Sequence, residues 1–274
     1  MAESAYCRKD GFGYRCVNAL GSRIHCDMAD IGGSDDAVVG KELIMKTRKV
    51  TRKLLITITC IILATLLVIA GAFIRQAYIS SEINDDYTMV LNNPVYQEPV
   101  SVNGVHFITQ KISCGYAIIE MLSKWQNKEV TEQLLFVNNE NTISTAMGTG
   151  FLNDLGKQFP EWTITRHTNL TNSELLSAMH ETLTDGMPVP IEFAALRNVD
   201  GVEAWTLHFA VVTAMDLQNN VVIVQNPYGY EERYTVDSFL KATRYDSYEN
   251  MELIFSFGFA FGLFHKNTIY TIQN

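Results

Sequence analysis

The order of apolar and polar positions divides the chain into a polar start, one uninterrupted apolar run, a polar connection and a long stretch with the periodicities of a folded domain. The run LLITITCIILATLLVIAGAFI covers residues 54–74 without a charge. As a helix rising about 1.5 Å per residue it is roughly 31 Å long, which matches the hydrocarbon core of a bilayer. A buried core helix rarely exceeds about 14 residues without a polar face, and this run is longer. The pattern predicts four parts: a disordered tail over 1–53, a transmembrane segment over 54–74, a stalk over 75–104 containing Pro94 and Pro99, and one domain over 105–274.

Within that domain the period changes along the chain. Ile118, Ile119, Met121, Leu122 and Trp125 follow Cys114 at helical spacing. Thr171 with Glu174 forms a capping box that opens a second helix, with Leu175, Leu176, Met179 and Leu183 on one face and Gly186 at its end. Beyond it, 189–193, 206–214, 221–225 and 264–272 are short runs of strand-forming residues. Asn219-Asn220 supplies a hairpin turn between the second and third of these runs. Helices first and an antiparallel sheet afterwards is an α+β arrangement.

Charge is unevenly distributed. Residues 1–53 hold 10 Lys/Arg against 7 Asp/Glu, a net of +3, whereas residues 74–274 hold 11 against 23, a net of −12. An acidic domain argues against nucleic acid as a partner, because phosphate binding needs a basic surface. Neither a P-loop nor a G-x-G-x-x-G pattern occurs, so no nucleotide or other cofactor is expected. Lys46, Arg48, Lys49, Arg52 and Lys53 precede the apolar run, and Glu82, Asp85 and Asp86 follow it. The positive-inside rule then predicts a cytoplasmic N-terminus and an extracellular C-terminal domain. Ala70-Gly71-Ala72 has the form of a signal-peptidase site, but Phe73 and Ile74 continue the apolar run, which favours a retained signal anchor in the cell membrane. Cys7, Cys16 and Cys26, with His25, match no compact zinc spacing, and no metal site is expected. Met45, followed by Lys46-Thr47-Arg48-Lys49, is itself a suitable translation start.

Cys114 is the lone cysteine beyond the apolar run. Unpaired cysteines in exported domains are either inert packing residues or reactive thiols. Ser113 is placed to cap the helix that Cys114 begins, which puts the sulfur at the positive end of the helix dipole and favours the thiolate. A thiol nucleophile needs an imidazole, and the imidazole needs an orienting group. His208 lies in an apolar strand, and a hairpin turning near Asn219 brings Asn226 beside it. Gln110 is close enough in sequence to offer an amide to an oxyanion hole. His106, His167, His180 and His265 read as surface or packing residues, as does Trp205, and Glu231-Glu232 as a solvated pair.

Gln110…Cys114-Gly115-Tyr116-Ala117, Leu207-His208-Phe209-Ala210-Val211-Val212 and Asn226-Pro227-Tyr228-Gly229 resemble the bacterial papain-like cysteine peptidases. The branch they resemble is that of the double-glycine leader peptidases of bacteriocin exporters, here without the exporter's ATPase. The likeness covers about residues 100–274. It implies a papain-like fold, with a helical first half and a β-barrel-like second half, acting on a peptide or protein through an acyl-thioester intermediate. It further implies Cys114 as nucleophile, His208 as base, Asn226 as orienter and Gln110 as oxyanion donor. The gap of four from Gln110 to Cys114 is shorter than the usual five or six, and the orienter in this branch is often Asp. Amidase or acyltransferase chemistry uses the same Cys–His pair, and an inactive binding or structural ectodomain is the alternative reading.

Overall fold

A computed structural model of the chain describes residues 6–10, 13–17, 23–24, 35–199, 201–246 and 252–274. Contacts divide it into two units, Met1–Leu66 and Leu67–Asn274.

In the first unit β1 (Tyr6–Asp10) pairs antiparallel with β2 (Gly13–Val17), which pairs with β3 (Arg23–Ile24). These strands, and the part of helix α1 (Asp35–Ile83) before residue 54, occupy sequence expected to be a disordered tail. His25 and Cys26 lie outside the described residues. Helix α1 carries the whole apolar run, and it is the one described helix long and apolar enough to cross a membrane. Its side chains face outward, with Leu54, Ile61 and Leu67 each about 60% exposed or more. The hydroxyls of Thr57, Thr59 and Thr65 donate to the carbonyls of Lys53, Leu55 and Ile61 at 2.9–3.0 Å. The helix thus satisfies these hydroxyls by itself.

In the second unit α1 continues to Ile83 and is followed by α2 (Thr88–Leu91), a 3₁₀ turn over Pro94–Tyr96 and β4 (Val100–Ser101). The sequence predicts a stalk here, and the structure corrects it. Ile83, Val90 and Val102 are buried, Asp85 accepts from the Ser173 N–H at 3.1 Å, and His180 bonds the Glu98 carbonyl at 3.1 Å. The few apolar residues of this polar stretch are spent on the domain surface.

Four helices follow: α3 (Cys114–Trp125), α4 (Glu132–Asn138), α5 (Gly148–Gln158) and, after β5 (Thr163–His167), α6 (Asn172–Thr184). The Thr171–Glu174 capping box forms as predicted, and Gly186 ends the helix at a φ of +77° that suits glycine. Then come β6 (Val189–Val199), β7 (Val202–Asp216), β8 (Val221–Asn226), β9 (Tyr230–Tyr234), α7 (Val236–Arg244), α8 (Leu253–Ala260) and β10 (Thr268–Gln273). The sheet is antiparallel, ordered β5-β10-β6-β7-β8-β9, with β4 pairing β7 where β6 ends. It is open: β5 and β9 are edges, so the barrel-like expectation is corrected to an open twisted sheet. Tyr230, Glu231 and Arg233 keep the β9 edge exposed and mostly charged, which suits an unpaired edge. The core forms between sheet and helices, from Tyr116, Ile118 and Leu122 of α3, Leu176 and Met179 of α6, and Ile191, Val211 and Val224 of the sheet.

Candidate active site

Cys114 begins α3 because Ser113 stops extended backbone and caps the helix, its hydroxyl accepting the Tyr116 N–H at 3.2 Å. Gly115 fits because a Cβ there would stand 2.5 Å from the Thr145 Cβ, so the first turn of α3 needs a bare backbone against that threonine. The approach to Cys114 is held by a residue that sequence reasoning did not single out. Glu132, buried at the start of α4, accepts the N–H groups of Lys111 and Ile112 at 2.8 Å and of Ser113 at 3.1 Å. One carboxylate thus gathers three successive donors that would otherwise stand unpaired beside the thiol.

His208 lies in β7 and Asn226 ends β8, adjacent strands joined by the turn at Asn219-Asn220, where Asn220 takes φ +57°. The predicted hairpin brings the two side chains together: His208 Nε2 is 3.0 Å from Asn226 Oδ1. The orientation of the Asn226 amide follows from its neighbours. The Tyr228 N–H donates to Oδ1 at 2.9 Å, while Nδ2 donates to Glu232 Oε2 at 3.0 Å. A carboxylate needs a donor and an N–H needs an acceptor, so Oδ1 faces the imidazole and His208 carries its proton on Nε2. Nδ1 is left as the basic nitrogen. Tyr228 stacks on the ring with centroids 4.1 Å apart, and Tyr234 donates to Glu232 at 3.0 Å. Glu232 therefore belongs to the hydrogen-bonded chain behind the imidazole, contrary to the solvated pair read from the sequence. Glu231, its neighbour on the exposed edge, accepts from Gln225 at 2.8 Å.

Gln110 joins the same assembly. Its N–H donates to the Pro227 carbonyl at 2.7 Å, and Thr109 bridges Tyr228. This close approach requires Gly229, with φ +99° and no room for a Cβ, which would lie 2.5 Å from the Thr109 hydroxyl. The Gln110 side-chain oxygen is buried without a hydrogen-bond partner among the described residues; it is an acceptor, and the donor an oxyanion would need is the Nε2 of the same amide.

Cys114, His208 and Gln110 line one cleft of about 360 Å³, with Tyr228, Phe255 and Phe264 among its walls. Asn226, fully buried, stands behind His208. A larger depression of about 540 Å³, bordered by Leu152, Lys157 and Trp162, contains no cysteine or histidine. Neither His106, His167, His180 and His265 nor Trp205 lines the cleft, and Trp205 packs against the cluster of Ala194, Tyr245 and Phe259.

Burial decides the protonation states. It lowers the His208 pKa to about 4, opposed by the Asn226 bond, and it pushes the Cys114 thiol up, opposed by the N–H groups of Phe209, Gly115 and Cys114 itself. The sequence reading expected the helix dipole to lower the thiol. In the folded protein desolvation outweighs it, which favours a neutral thiol and a neutral imidazole in the one cleft they line. Such a pair can react when a bound carbonyl draws the sulfur forward and the thiol proton passes to Nδ1.

No curated protein matches the chain. Residues 102–253 match the Peptidase_C39-like family, more than half of the chain and a segment that includes all four candidate residues, and the protein belongs to that family.

Proposed function

We propose that this chain is a membrane-anchored cysteine peptidase whose domain stands outside the cytoplasm. Cys114 is the nucleophile. His208 takes its proton and returns it to the leaving amine, and Asn226 holds the imidazole in the Nε2–H tautomer. The Cys114 N–H and the Gln110 amide receive the oxyanion. A substrate carbonyl is attacked by sulfur to give a tetrahedral adduct, which expels the amine to leave an acyl-thioester that water hydrolyses. The observation that carries this reading is the His208–Asn226 bond at 3.0 Å in a cleft shared with Cys114 at a helix N-terminus. The exposed apolar stretch of α1 and the basic residues before it support the anchor and its orientation.

The test uses the full chain in detergent at pH 7 with a library of fluorogenic peptides. Cys114→Ala is expected to lose hydrolysis by more than about 10³-fold. A folded chain that cleaves no peptide would be a binding module instead.

A further inference from the structure

Helix α8 has the sequence LIFSFGFA, apolar but for Ser256. It buries Gly258, Phe259 and Ala260, while Leu253 is 77% exposed, Ile254 64%, Phe261 47% and Leu263 60%. Soluble domains rarely gather so many large apolar side chains on one open surface, and such a patch marks an interaction site.

Its position identifies the partner. The Phe257 ring meets the Phe73 ring edge-on with centroids 5.4 Å apart. Phe73 and Ile74, the latter 70% exposed, are the last residues of the apolar run of α1. Arg75 follows at once, and its guanidinium comes within 3.7 Å of where a Cβ on Gly262 would stand. The exposed face of α8 therefore continues the apolar surface of the helix at the level where a bilayer would end. Arg75 marks the border, where phosphate headgroups accept a cation. Phe255 and Phe264, from the same segment, face the other way and wall the cleft.

We propose that α8 and residues 261–263 dip into the lipid interface beside the exit of α1 and hold the peptidase cleft at the membrane surface. This rests on the membrane-anchor reading. It assigns the enzyme substrates presented at the bilayer surface: peptide segments that leave, or lie along, the lipid.

The full chain, with its five cysteines replaced by serine, is reconstituted in phosphatidylcholine–phosphatidylglycerol vesicles carrying one fluorophore at a time. The labelled substitutions are Ala64→Cys, Ile254→Cys, Leu263→Cys and Asp237→Cys. Nitroxide-bearing phospholipids are expected to quench the labels at 254 and 263 several-fold more than the label at 237, and aqueous iodide to quench them less. The label at 64 should be quenched most by nitroxides deep in the acyl chain. If 64 is quenched but 254 and 263 behave like 237, the docking surface is refuted and the anchor stands. If 64 also escapes the nitroxides, the anchor itself fails and the docking surface with it. Labels at 254 and 263 shielded from iodide yet untouched by lipid nitroxides would mean that protein covers this face, which also overturns the proposal.

Discussion

Asn226→Asp tests the hydrogen-bonded chain behind the imidazole. Related enzymes often use aspartate here, so the substitution looks mild until Glu232 is considered. Asn226 Nδ2 donates to Glu232 Oε2 at 3.0 Å, and the change would set two carboxylates at that distance. At an effective dielectric of about 20 their repulsion is about 5 kcal/mol. The site would instead bind a proton, which at pH 7 costs about 4 kcal/mol for a carboxylate of ordinary pKa near 4. Glu232 is only half-buried, so solvent reduces the loss to about 2–4 kcal/mol. Asn226→Ala loses all three hydrogen bonds, those from His208 and the Tyr228 N–H as well as that to Glu232, but adds no charge and should cost about 1–3 kcal/mol. At pH 5 the proton costs only about 1.4 kcal/mol, so Asn226→Asp should recover part of its deficit on acidification. Glu232→Gln added to Asn226→Asp restores a donor opposite the new carboxylate and should recover most of it at pH 7. The assay is the urea midpoint of the detergent-solubilised chain, together with the second-order rate of Cys114 alkylation by iodoacetamide. Asn226→Asp as stable as the parent at pH 7, or no rescue by Glu232→Gln, would refute this account of why asparagine occupies the position.

Three further outcomes follow from the same geometry. Because burial holds the thiol up, the absorbance difference near 240 nm between the chain and Cys114→Ser should be absent at pH 7 and grow only above the ordinary thiol value of about 8.5; a thiolate band at neutral pH would refute the neutral resting pair. His208 has a folded pKa of about 4 against 6.5 unfolded, so the unfolded chain binds the extra proton between those values. Its contribution is complete above pH 6.5 and falls by about 3 kcal/mol as pH drops to 4, and His208→Gln should remove that part of the acid loss in urea midpoints measured at pH 7.5 and 4.5. Glu132→Gln leaves one acceptor oxygen for three N–H groups, so it should cost about 2–3 kcal/mol; an unchanged midpoint would remove Glu132 from the support of the loop.

What could be read from the sequence was what local rules fix. Ser113 before Cys114 marks a helix start, Thr171 with Glu174 marks another, and a strand pair turning at Asn219-Asn220 runs His208 past Asn226; the bulge between Val212 and Ala214, which brings the two side chains to one face, was not readable. The partners added by distant chain were not readable. Glu132 follows its target by about twenty residues, with no periodicity to connect it to Ser113. Glu232 looked like half of a solvated pair because β9 has too few residues and too many charges to read as a strand; once it is paired with β8, alternation sends Glu231 toward Gln225 and Glu232 toward Asn226. Desolvation of the thiol was equally hidden. A helix dipole can be inferred from a cap, but burial depends on what packs over the site.

The segment expected to be a stalk matters most for how the site would meet substrate. A flexible spacer of that length would let the domain sample a range of heights and tilts above a membrane. Here α1 runs unbroken to Ile83, which is buried, and the chain after it is fastened by Asn172 Nδ2 to the Asp85 carbonyl at 3.0 Å and by Ser173 N–H to its carboxylate at 3.1 Å. From Ile74 to Ile83 the helix rises only about 13 Å. The cleft is thus tied to the end of the apolar helix through packed and hydrogen-bonded chain, with little freedom to swing away. Under the proposed anchoring, a cleft held in this way acts on what the bilayer surface brings to it. Restriction of the substrate then follows from where the cleft is fixed as well as from the side chains that line it.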